Sequence, residues 1–380
     1  MNNIKVAHIS EDGRGGGQFQ YIRDLVSDSV LKQVIISPLA KNDDKANQLH
    51  SKINYISLSL RVLNFKNFLA YIIYLIPEVI KLIKVIRAEN FDLIVCHSAI
   101  QIKGVIVAYI LNKPCIWVMH DSYLSGLSKV IFTPISRLCK NYLFVSDRSK
   151  EYYNKSFKHI SYKNQIVIPS CIDHNQYFPE NSSLLTADRF NVITTCYINK
   201  WKGLELLIDI AYQCKISGST DIQFHIIGPI LESRKTYAAS LTKRIDELQL
   251  DNIEFHGYAS NINEFLNSAQ LYLCTSTYES SPISIWEAMA TGLPILSYDV
   301  GDLNKIIAKY HCGKIITTRD PKLFFQNIEY YKSDPSLLKE QGNNSYKATF
   351  ELFNKKCFIE NHQNFYQSVV ESHYENRPRK

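Results

Sequence analysis

The chain has 380 residues, of which 46% are hydrophobic and 21% are charged, and its formal net charge is +7. It is too long for one ordinary domain, and its composition is that of a globular protein with a substantial core. The modest positive charge suits an anionic ligand or an acidic membrane surface. No stretch has the dense Lys/Arg cluster with interleaved aromatics that predicts nucleic-acid binding.

The cysteines and the apolar runs indicate where the protein works. Nine cysteines, without any C-x-x-C pair, favour reduced thiols in a cytoplasmic protein. No uncharged apolar run reaches the ~18 residues that a membrane span requires. The first apolar run, residues 4–9, is short and resembles a strand more than a signal peptide. We therefore expect a cytoplasmic protein, either free or at the inner face of the cell membrane.

The first half of the chain alternates apolar, strand-like runs with helical periods, which is typical of a parallel α/β sheet. A glycine-rich loop follows the first of these strands and leads into a helix near Gln18. Its glycines, at 13 and 15–17, allow the backbone to approach a ligand closely. The predicted strands are residues 5–9, 33–37, 53–58, 92–96, 115–119 and 142–145.

Residues 65–90 form a long apolar and aromatic stretch that predicts a helix. Pro77 should kink this helix or split it in two. Lys81, Lys84 and Arg87 recur at helical spacing. One interpretation is an ordinary helix with a solvated basic stripe, and the other is a surface helix that contacts anionic lipid.

Two histidines follow strands, at the end where open α/β sheets bind ligands. His97 ends the strand at 92–96, and we interpret it as a structural residue. His120 follows the strand at 115–119 and is a site candidate.

The second half repeats the alternation, after a polar, turn-rich linker predicted at residues 179–188. The predicted strands are residues 191–196, 222–227, 253–258, 271–274 and 293–297, with helices at 204–215 and 354–372.

The most informative stretch is residues 278–302, which reads as loop, helix and strand after the strand at 271–274. Ser281 and Pro282 form a helix-start signal, and Gly292 ends the helix. Glu279 lies in the loop and Glu287 lies within the helix. The free N–H groups at the helix N-terminus, near residues 283 and 284, favour an anionic group. A nucleotide-sugar suits this combination of two carboxylates and an anion site.

The two glutamates are separated by seven residues and are followed by A-M-A-x-G-x-P, which resembles the E-x7-E signature of retaining glycosyltransferases of family 4. The resemblance implies that Glu279 addresses hydroxyls of the donor sugar and that Glu287 holds the ribose. The diphosphate would bind at the helix N-terminus, beside Ser281, Ile283 and Ser284.

The same resemblance assigns further candidates. It places Gly16 and Gly17 beside the donor phosphates and the acceptor, and it places His120 facing the donor sugar and the acceptor. Gly228 matches the family's strand-to-glycine position, on the donor side.

One departure from the family pattern concerns charge. Lys202 and Gly203 match a motif in which Arg and Lys clamp the diphosphate, but Tyr197 occupies the Arg position. A phenol supplies no fixed positive charge. Lys200 could substitute as a point charge, or donor binding could be weaker, or activity could be lost.

The two α/β halves, together with the resemblance, imply a GT-B architecture of two doubly wound, Rossmann-like domains facing across a cleft. The acceptor domain would comprise residues 1–178, joined by the C-terminal helix at about 354–380, and the nucleotide-sugar domain would comprise residues 179–353. The glycines and Lys200, with the residues of the E-x7-E element, would bind the donor. Glu279, Lys202 and His120 would be catalytic.

The resemblance implies retaining transfer of a hexosyl group from a UDP- or GDP-sugar to a glycan or polyprenyl-linked acceptor, in bacterial surface polysaccharide synthesis. No D-x-D motif is present, so we expect no cofactor and no required metal. Two alternatives remain: a silent nucleotide-sugar-binding protein, and a UDP-sugar epimerase of the same fold. A peripheral contact with anionic membrane is a further expectation.

Overall fold

The computed structural model describes residues 4–11, 16–38, 54–63, 68–186 and 188–375. The chain divides into two compact units, Met1–Cys171 with Lys355–Lys380, and Ile172–Asn354. The sequence places the first boundary at residue 178, whereas the structure divides the chain at 171. Segment 172–186 packs on the second unit, where backbone N–H groups of Phe178 and Glu180 donate to Asn263 and Asn267.

The first unit contains a seven-stranded parallel sheet in the order β3-β2-β1-β4-β5-β6-β7. Its strands are β1 (Lys5–Ile9), β2 (Lys32–Ser37), β3 (Tyr55–Ser57), β4 (Leu93–His97), β5 (Cys115–Met119), β6 (Asn141–Phe144) and β7 (Asn164–Val167). Its described α-helices are α1 (Gly17–Ser27), α2 (Phe68–Glu89), α3 (Ile102–Ile110), α4 (Gly126–Ser136), α5 (Asp147–Ser156) and α13 (Lys355–Glu375). One face of the sheet packs on α2, α3 and α4, and the other packs on α1 and α13.

Helix α2 runs through Pro77 as one helix, so of the two predicted outcomes, a kink or a split, the split does not occur. Proline removes the hydrogen bond to the carbonyl of residue 73. Ile73 is exposed, so water can solvate that carbonyl and the helix continues. Residues 65–67, which begin the predicted helix, lie outside the described residues.

The second unit contains a six-stranded parallel sheet in the order β10-β9-β8-β11-β12-β13. Its strands are β8 (Phe190–Thr195), β9 (Ile222–Ile227), β10 (Ile253–Gly257), β11 (Leu271–Cys274), β12 (Ile295–Tyr298) and β13 (Gly313–Ile316). Its described α-helices are α6 (Leu204–Ile216), α7 (Lys235–Glu247), α8 (Ile262–Asn267), α9 (Ile283–Ala290), α10 (Leu303–Tyr310), α11 (Pro321–Ser333) and α12 (Pro335–Leu352).

Both sheets have the strand order of a doubly wound fold, which confirms the predicted fold class of the two units. The order reverses between β1 and β4 in the first unit and between β8 and β11 in the second. Ligands of such sheets bind outside the carboxyl ends of the strands at this switch point. The loops that follow β8 and β11 are therefore the expected ligand-binding region of the second unit. None of the described helices is long and apolar enough to cross a membrane.

Candidate functional site

The loops that follow β8 and β11 are joined to each other by several contacts. After β8 the chain forms a short 3-10 helix, Lys200–Lys202, capped by the Asn199 side chain. The Thr277 N–H donates to the Trp201 carbonyl at 2.7 Å, and Thr275 Oγ1 donates to the Lys202 carbonyl at 3.0 Å. These bonds hold the two loops in a fixed relation at the switch point of the second unit.

Lys202 and Glu279 form the charged centre of these joined loops. Lys202 Nζ lies 2.6 Å from Glu279 Oε1, and Ser276 Oγ donates to the same oxygen at 3.0 Å. Burial lowers the pKa of the Lys202 ammonium, but the Glu279 carboxylate, together with Cys196 and Cys274, raises it by more, so its pKa lies above the usual value. Lys202 is therefore a fixed cation at neutral pH, held beside a carboxylate at the carboxyl edge of the sheet.

Two glycines allow the backbone to pack closely around this pair. At Gly203 the backbone has φ +62°, and an added Cβ would lie 2.2 Å from the Thr275 carbonyl oxygen. At Gly228, with φ +149°, an added Cβ would lie 1.8 Å from the Cys196 carbonyl oxygen. Neither position accepts a side chain without movement of the backbone, so glycine here is a steric requirement of the site.

Helix α9 begins one residue later than the sequence predicts. Pro282 has ψ 86°, which is not helical, so it occupies the N-cap and Ile283 is the first helical residue. Ser281 lies before the cap, and its hydroxyl accepts from Trp286 Nε1 at 3.3 Å. Among the described residues no side chain caps α9, so the N–H groups of Ile283 and Ser284 can donate to a bound anion.

Glu287 is the fifth residue of α9, and its side chain is nearly buried. It shares this helix with the N-terminal N–H groups, and Glu279 lies four residues before the helix begins. The loop after β12 contacts this segment as well, because the Gly301 N–H donates to the Glu279 carbonyl at 3.1 Å.

The structure also locates the charged residues of this region, where Tyr197 occupies the position of the family's arginine. Tyr197 is half-buried in the loop after β8, and Lys200 is exposed. Arg319, which follows β13, donates from Nη1 to the Thr275 carbonyl at 3.1 Å. A Cβ at Gly203 would lie 2.5 Å from Arg319 Nη2, so this guanidinium adjoins the residue that follows Lys202. Sequence reasoning missed Arg319, because no motif surrounds it.

The remaining predicted residues, Gly16, Gly17 and His120, belong to the first unit. Gly16 is the N-cap of α1, with φ +149°, and its carbonyl accepts from the Gln20 N–H at 2.9 Å. Gly17 is exposed at the first turn of that helix. Residues 12–15 of the predicted glycine-rich loop lie outside the described residues.

Glu11, which precedes the glycine-rich loop, is held in place by a buried ion pair. Lys103 Nζ contacts Glu11 Oε2 at 2.9 Å and Glu78 Oε2 at 3.1 Å, and all three side chains are buried. Burial raises the pKa of Glu11 to about 7, although the ammonium of Lys103 opposes the shift. The cluster ties the start of the loop to α2 and α3.

His120 is the end of a chain of histidines that crosses three adjacent strands. His8 Nδ1 lies 3.0 Å from His97 Nε2, and His97 Nδ1 lies 3.0 Å from His120 Nε2. His8 Nε2 lies 2.5 Å from Gln33 Oε1. The chain confirms that His97 is internally bonded, and it adds His8 and Gln33, which sequence reasoning missed. His8, like His97, lies near the carboxyl end of its strand, which is the signal that could have found it.

The hydrogen bonds determine which ring nitrogens carry protons. Gln33 donates its N–H to the Leu25 carbonyl, so its oxygen faces His8 and accepts from Nε2–H. His97 then donates from Nε2 to His8, and His120 donates from Nε2 to His97. The lone pair of His120 is therefore on Nδ1. Burial lowers the pKa of His120 to about 3 and that of His8 to about 4, so both are neutral at pH 7.

Comparisons with known proteins relate both units to glycosyltransferases. A family model described as "Glycosyl transferases group 1" matches residues 181–348. A second, described as "Glycosyltransferase Family 4", matches residues 30–176. The two matches together span most of the two units.

Curated relatives have low sequence identity. The lipopolysaccharide core biosynthesis mannosyltransferase LpsB of Rhizobium meliloti is 24% identical over 200 residues, which are 49% of this chain and 56% of that protein. An uncharacterized glycosyltransferase of Haemophilus influenzae is 22% identical over 259 residues, which are 67% of this chain and 70% of that protein. The matched region thus spans between 56% and 70% of the length of these relatives.

Solved structures share the fold over nearly the whole chain. The Anabaena protein HepE, in complex with UDP and glucose, aligns with a TM-score of 0.83 at 19% identity, covering 96% of this chain and 100% of that chain. A mutant of S. aureus TarM, in complex with Fondaparinux, alpha-GlcNAc-glycerol and UDP, aligns with a TM-score of 0.76 at 12% identity, covering 96% and 99%.

Proposed function

Because the chain belongs to the group 1, family 4 glycosyltransferases of GT-B fold, we propose that it transfers a sugar from a nucleotide-sugar donor to a hydroxyl acceptor. The observation that carries this proposal is the Lys202–Glu279 pair, 2.6 Å apart, at the switch point of the second unit. A fixed cation beside a hydrogen-bond acceptor suits a donor that has both a diphosphate and sugar hydroxyls.

In the proposed complex, Lys202 and the N-terminus of α9 bind the donor diphosphate. As the glycosidic bond breaks, negative charge grows on the departing phosphate oxygen, and these groups stabilise it. Glu279 accepts hydrogen bonds from donor hydroxyls, and Glu287 accepts from the ribose. The sugar is transferred with retention, and the leaving phosphate oxygen accepts the acceptor's proton on the same face.

We propose that the transfer requires no metal ion. The sequence has no D-x-D motif, and Lys202 with the helix N-terminus can neutralise the diphosphate. Arg319, beside Gly203, is a further source of positive charge that could offset the tyrosine at position 197. Equal activity before and after treatment with EDTA would support this proposal.

We propose a UDP- or GDP-sugar as the donor, and a glycan or polyprenyl-linked acceptor of surface polysaccharide synthesis. HepE binds UDP and glucose, and LpsB is a mannosyltransferase of lipopolysaccharide core biosynthesis, so relatives differ in their sugar chemistry. His120, whose lone pair is on Nδ1, is the proposed acceptor-side and donor-sugar contact of the first unit, near Gly16 and Gly17 in the sequence-based assignment.

A panel of UDP-, GDP- and dTDP-sugars tests the function. Release of free nucleotide by the wild type, reduced roughly 100-fold in Lys202→Ala, is the expected result, and proton NMR of the product should show the donor's anomeric configuration. Inversion at C2 of the sugar would instead identify an epimerase. Binding of a donor without turnover would support the silent alternative, which the tyrosine at position 197 favours.

The exposed surface of α2 supports a membrane contact. Its apolar stripe consists of Leu69, Ile72, Ile73, Ile76 and Ile80, which are all exposed. At about 100° per residue, Lys84 and Arg87 continue the same face toward the end of the helix, with Lys81 beside them. An apolar stripe that continues into exposed basic residues suits an anionic lipid surface, where the charges reach the headgroups.

Co-sedimentation with vesicles tests this contact separately from catalysis. Each basic residue near an anionic surface contributes about 1 kcal/mol, so Lys81→Ala/Lys84→Ala/Arg87→Ala should weaken binding roughly 100-fold. Lys243→Ala, an exposed lysine of the second unit, is the matched control. Equal sedimentation of the triple variant and wild type would show that the three basic residues are only solvated and do not contact lipid.

A further inference from the structure

Three side chains with metal-binding atoms lie together at the edge of the second sheet. His225 is on β9, and Glu254 and His256 are on β10, the edge strand. In the register of the two strands His225 lies opposite Glu254. The Lys202–Glu279 pair instead follows β8 and β11, and none of the three residues is among those proposed to bind the donor.

The three ligand atoms form a compact triangle. His225 Nδ1 and His256 Nε2 are 3.0 Å apart, and Glu254 Oε2 lies 3.9 Å from the first and 3.6 Å from the second. The centre of the circle through these three atoms therefore lies about 2.1 Å from each of them. Zinc lies about 2.0–2.2 Å from nitrogen and oxygen ligands, so one ion fits the triangle without movement of the side chains.

A hydrogen bond from the other ring nitrogen, Nε2, orients His225 for this role. The Asn191 amide donates from Nδ2 to the Thr186 carbonyl at 2.9 Å, which directs Oδ1 at His225 Nε2, 3.0 Å away. His225 therefore carries its proton on Nε2 and directs the Nδ1 lone pair at the other two ligands. Metal-binding histidines typically donate their other N–H in this way.

The backbone orients the second histidine. The β9–β10 ladder shifts register between Phe255 and Gly257, so His256 lies at an irregularity in the edge strand. Such bulges redirect a side chain, and here the ring contacts both His225 and Phe265 of α8.

From these contacts we propose that His225, Glu254 and His256 bind a divalent transition-metal ion of the zinc class. Two imidazole nitrogens and one carboxylate suit Zn²⁺ and its neighbours, whereas Mg²⁺ and Ca²⁺ require oxygen ligands. Glu254 is 56% exposed, so water can reach the fourth position. The ion replaces the His225–His256 hydrogen bond and links the edge strand β10 to β9. Its role is to stabilise the sheet, and it takes no part in sugar transfer.

Calorimetric titration of the chelator-treated full chain with Zn²⁺ tests the proposal. One ion per chain should bind and raise the melting temperature, and Mg²⁺ should do neither. Glu254→Gln and His256→Gln should each weaken Zn²⁺ binding at least 10-fold. Glu247→Gln, an exposed carboxylate on α7, is the control and should leave binding unchanged.

Two results would overturn the metal site. The first is no saturable Zn²⁺ binding by the wild type. The second is equal binding by Glu254→Gln and the wild type, which would place the ion at other groups, such as the exposed thiol of Cys357. Glu254 is on the surface, so this variant should fold even if His256→Gln does not. Equal melting temperatures of Glu254→Gln and the wild type without metal would verify that it does.

Discussion

Replacing Lys202 by alanine tests the charge at the proposed donor site most directly. The Lys202 ammonium forms a 2.6 Å hydrogen bond with Glu279, and the two side chains are 20% and 17% exposed. A charge-assisted hydrogen bond of this kind contributes about 1.5–3 kcal/mol. If Lys202 gives a similar amount to the departing diphosphate, its loss raises the barrier by about 2.7 kcal/mol, which lowers turnover roughly 100-fold.

Binding of the free nucleotide should change less than turnover. The charge that Lys202 stabilises grows as the glycosidic bond breaks, so most of its contribution appears in the transition state. We expect kcat to fall roughly 100-fold, while Kd for the nucleotide rises less than about 10-fold. Nucleotide release with a competent acceptor measures the first quantity, and calorimetry measures the second.

Two comparisons make the experiment specific. Lys243→Ala is the control, because Lys243 is an exposed lysine of α7 outside the proposed site, and its turnover should remain within about three-fold of the wild type. The double variant Lys202→Ala/Glu279→Gln separates two causes. If the loss arises because Glu279 is left without its cation, neutralising Glu279 restores part of the activity. If the loss arises from the missing charge on the diphosphate, it does not.

Near-normal turnover of Lys202→Ala would refute the assignment and leave the N-terminus of α9 as the main phosphate site. An equal loss in Lys243→Ala would also contradict it, because an exposed lysine outside the site would then matter as much as Lys202.

The other predictions address binding, charge and stability. Glu287→Ala should weaken donor binding by about 1–3 kcal/mol through loss of the ribose acceptor, and unchanged affinity by calorimetry would exclude that role. Tyr197→Arg should raise turnover if the family's arginine is simply missing, but not if Arg319 already supplies the charge, in which case Arg319→Ala lowers it. Lys103→Met should destabilise the first unit by about 3–5 kcal/mol in urea unfolding, since it leaves the Glu11 carboxylate buried without its partner. The pKa of His8 is lowered to about 4 in the folded chain. The stabilisation from neutral His8 is therefore complete above its unfolded pKa, near 6.5, and is lost as the pH falls toward 4. The free energy of unfolding should fall by about 1.4 kcal/mol per such histidine between pH 7.5 and 5.5, and His8→Gln should reduce this pH dependence.

The sequence by itself determined the elements that are buried on both faces. The strands β1, β5, β9 and β11 have the bounds that their apolar runs predict, because a central parallel strand is covered on both faces and is therefore mostly apolar. The edge strands β7 and β13 were not predicted. Their residues are mostly half-exposed and carry no such run, so pairing with β6 and β12 decides that they are strands.

The chemistry of the site divides in the same way. The spacing of Glu279 and Glu287 and the Lys202-Gly203 pair are local patterns, so the sequence is enough to propose them. That Lys202 contacts Glu279 depends on two loops 77 residues apart in the chain, which meet only because β8 and β11 are neighbours in the sheet.

The histidines show most clearly what the tertiary structure decides. His8, His97 and His120 lie on or just after three different strands, and nothing in their local sequences links them. Register brings their rings into hydrogen-bond contact, and the amide of Gln33 then determines which nitrogen of each ring carries the proton. Such a network depends on distances between strands, and distances between strands exist only once the sheet has formed.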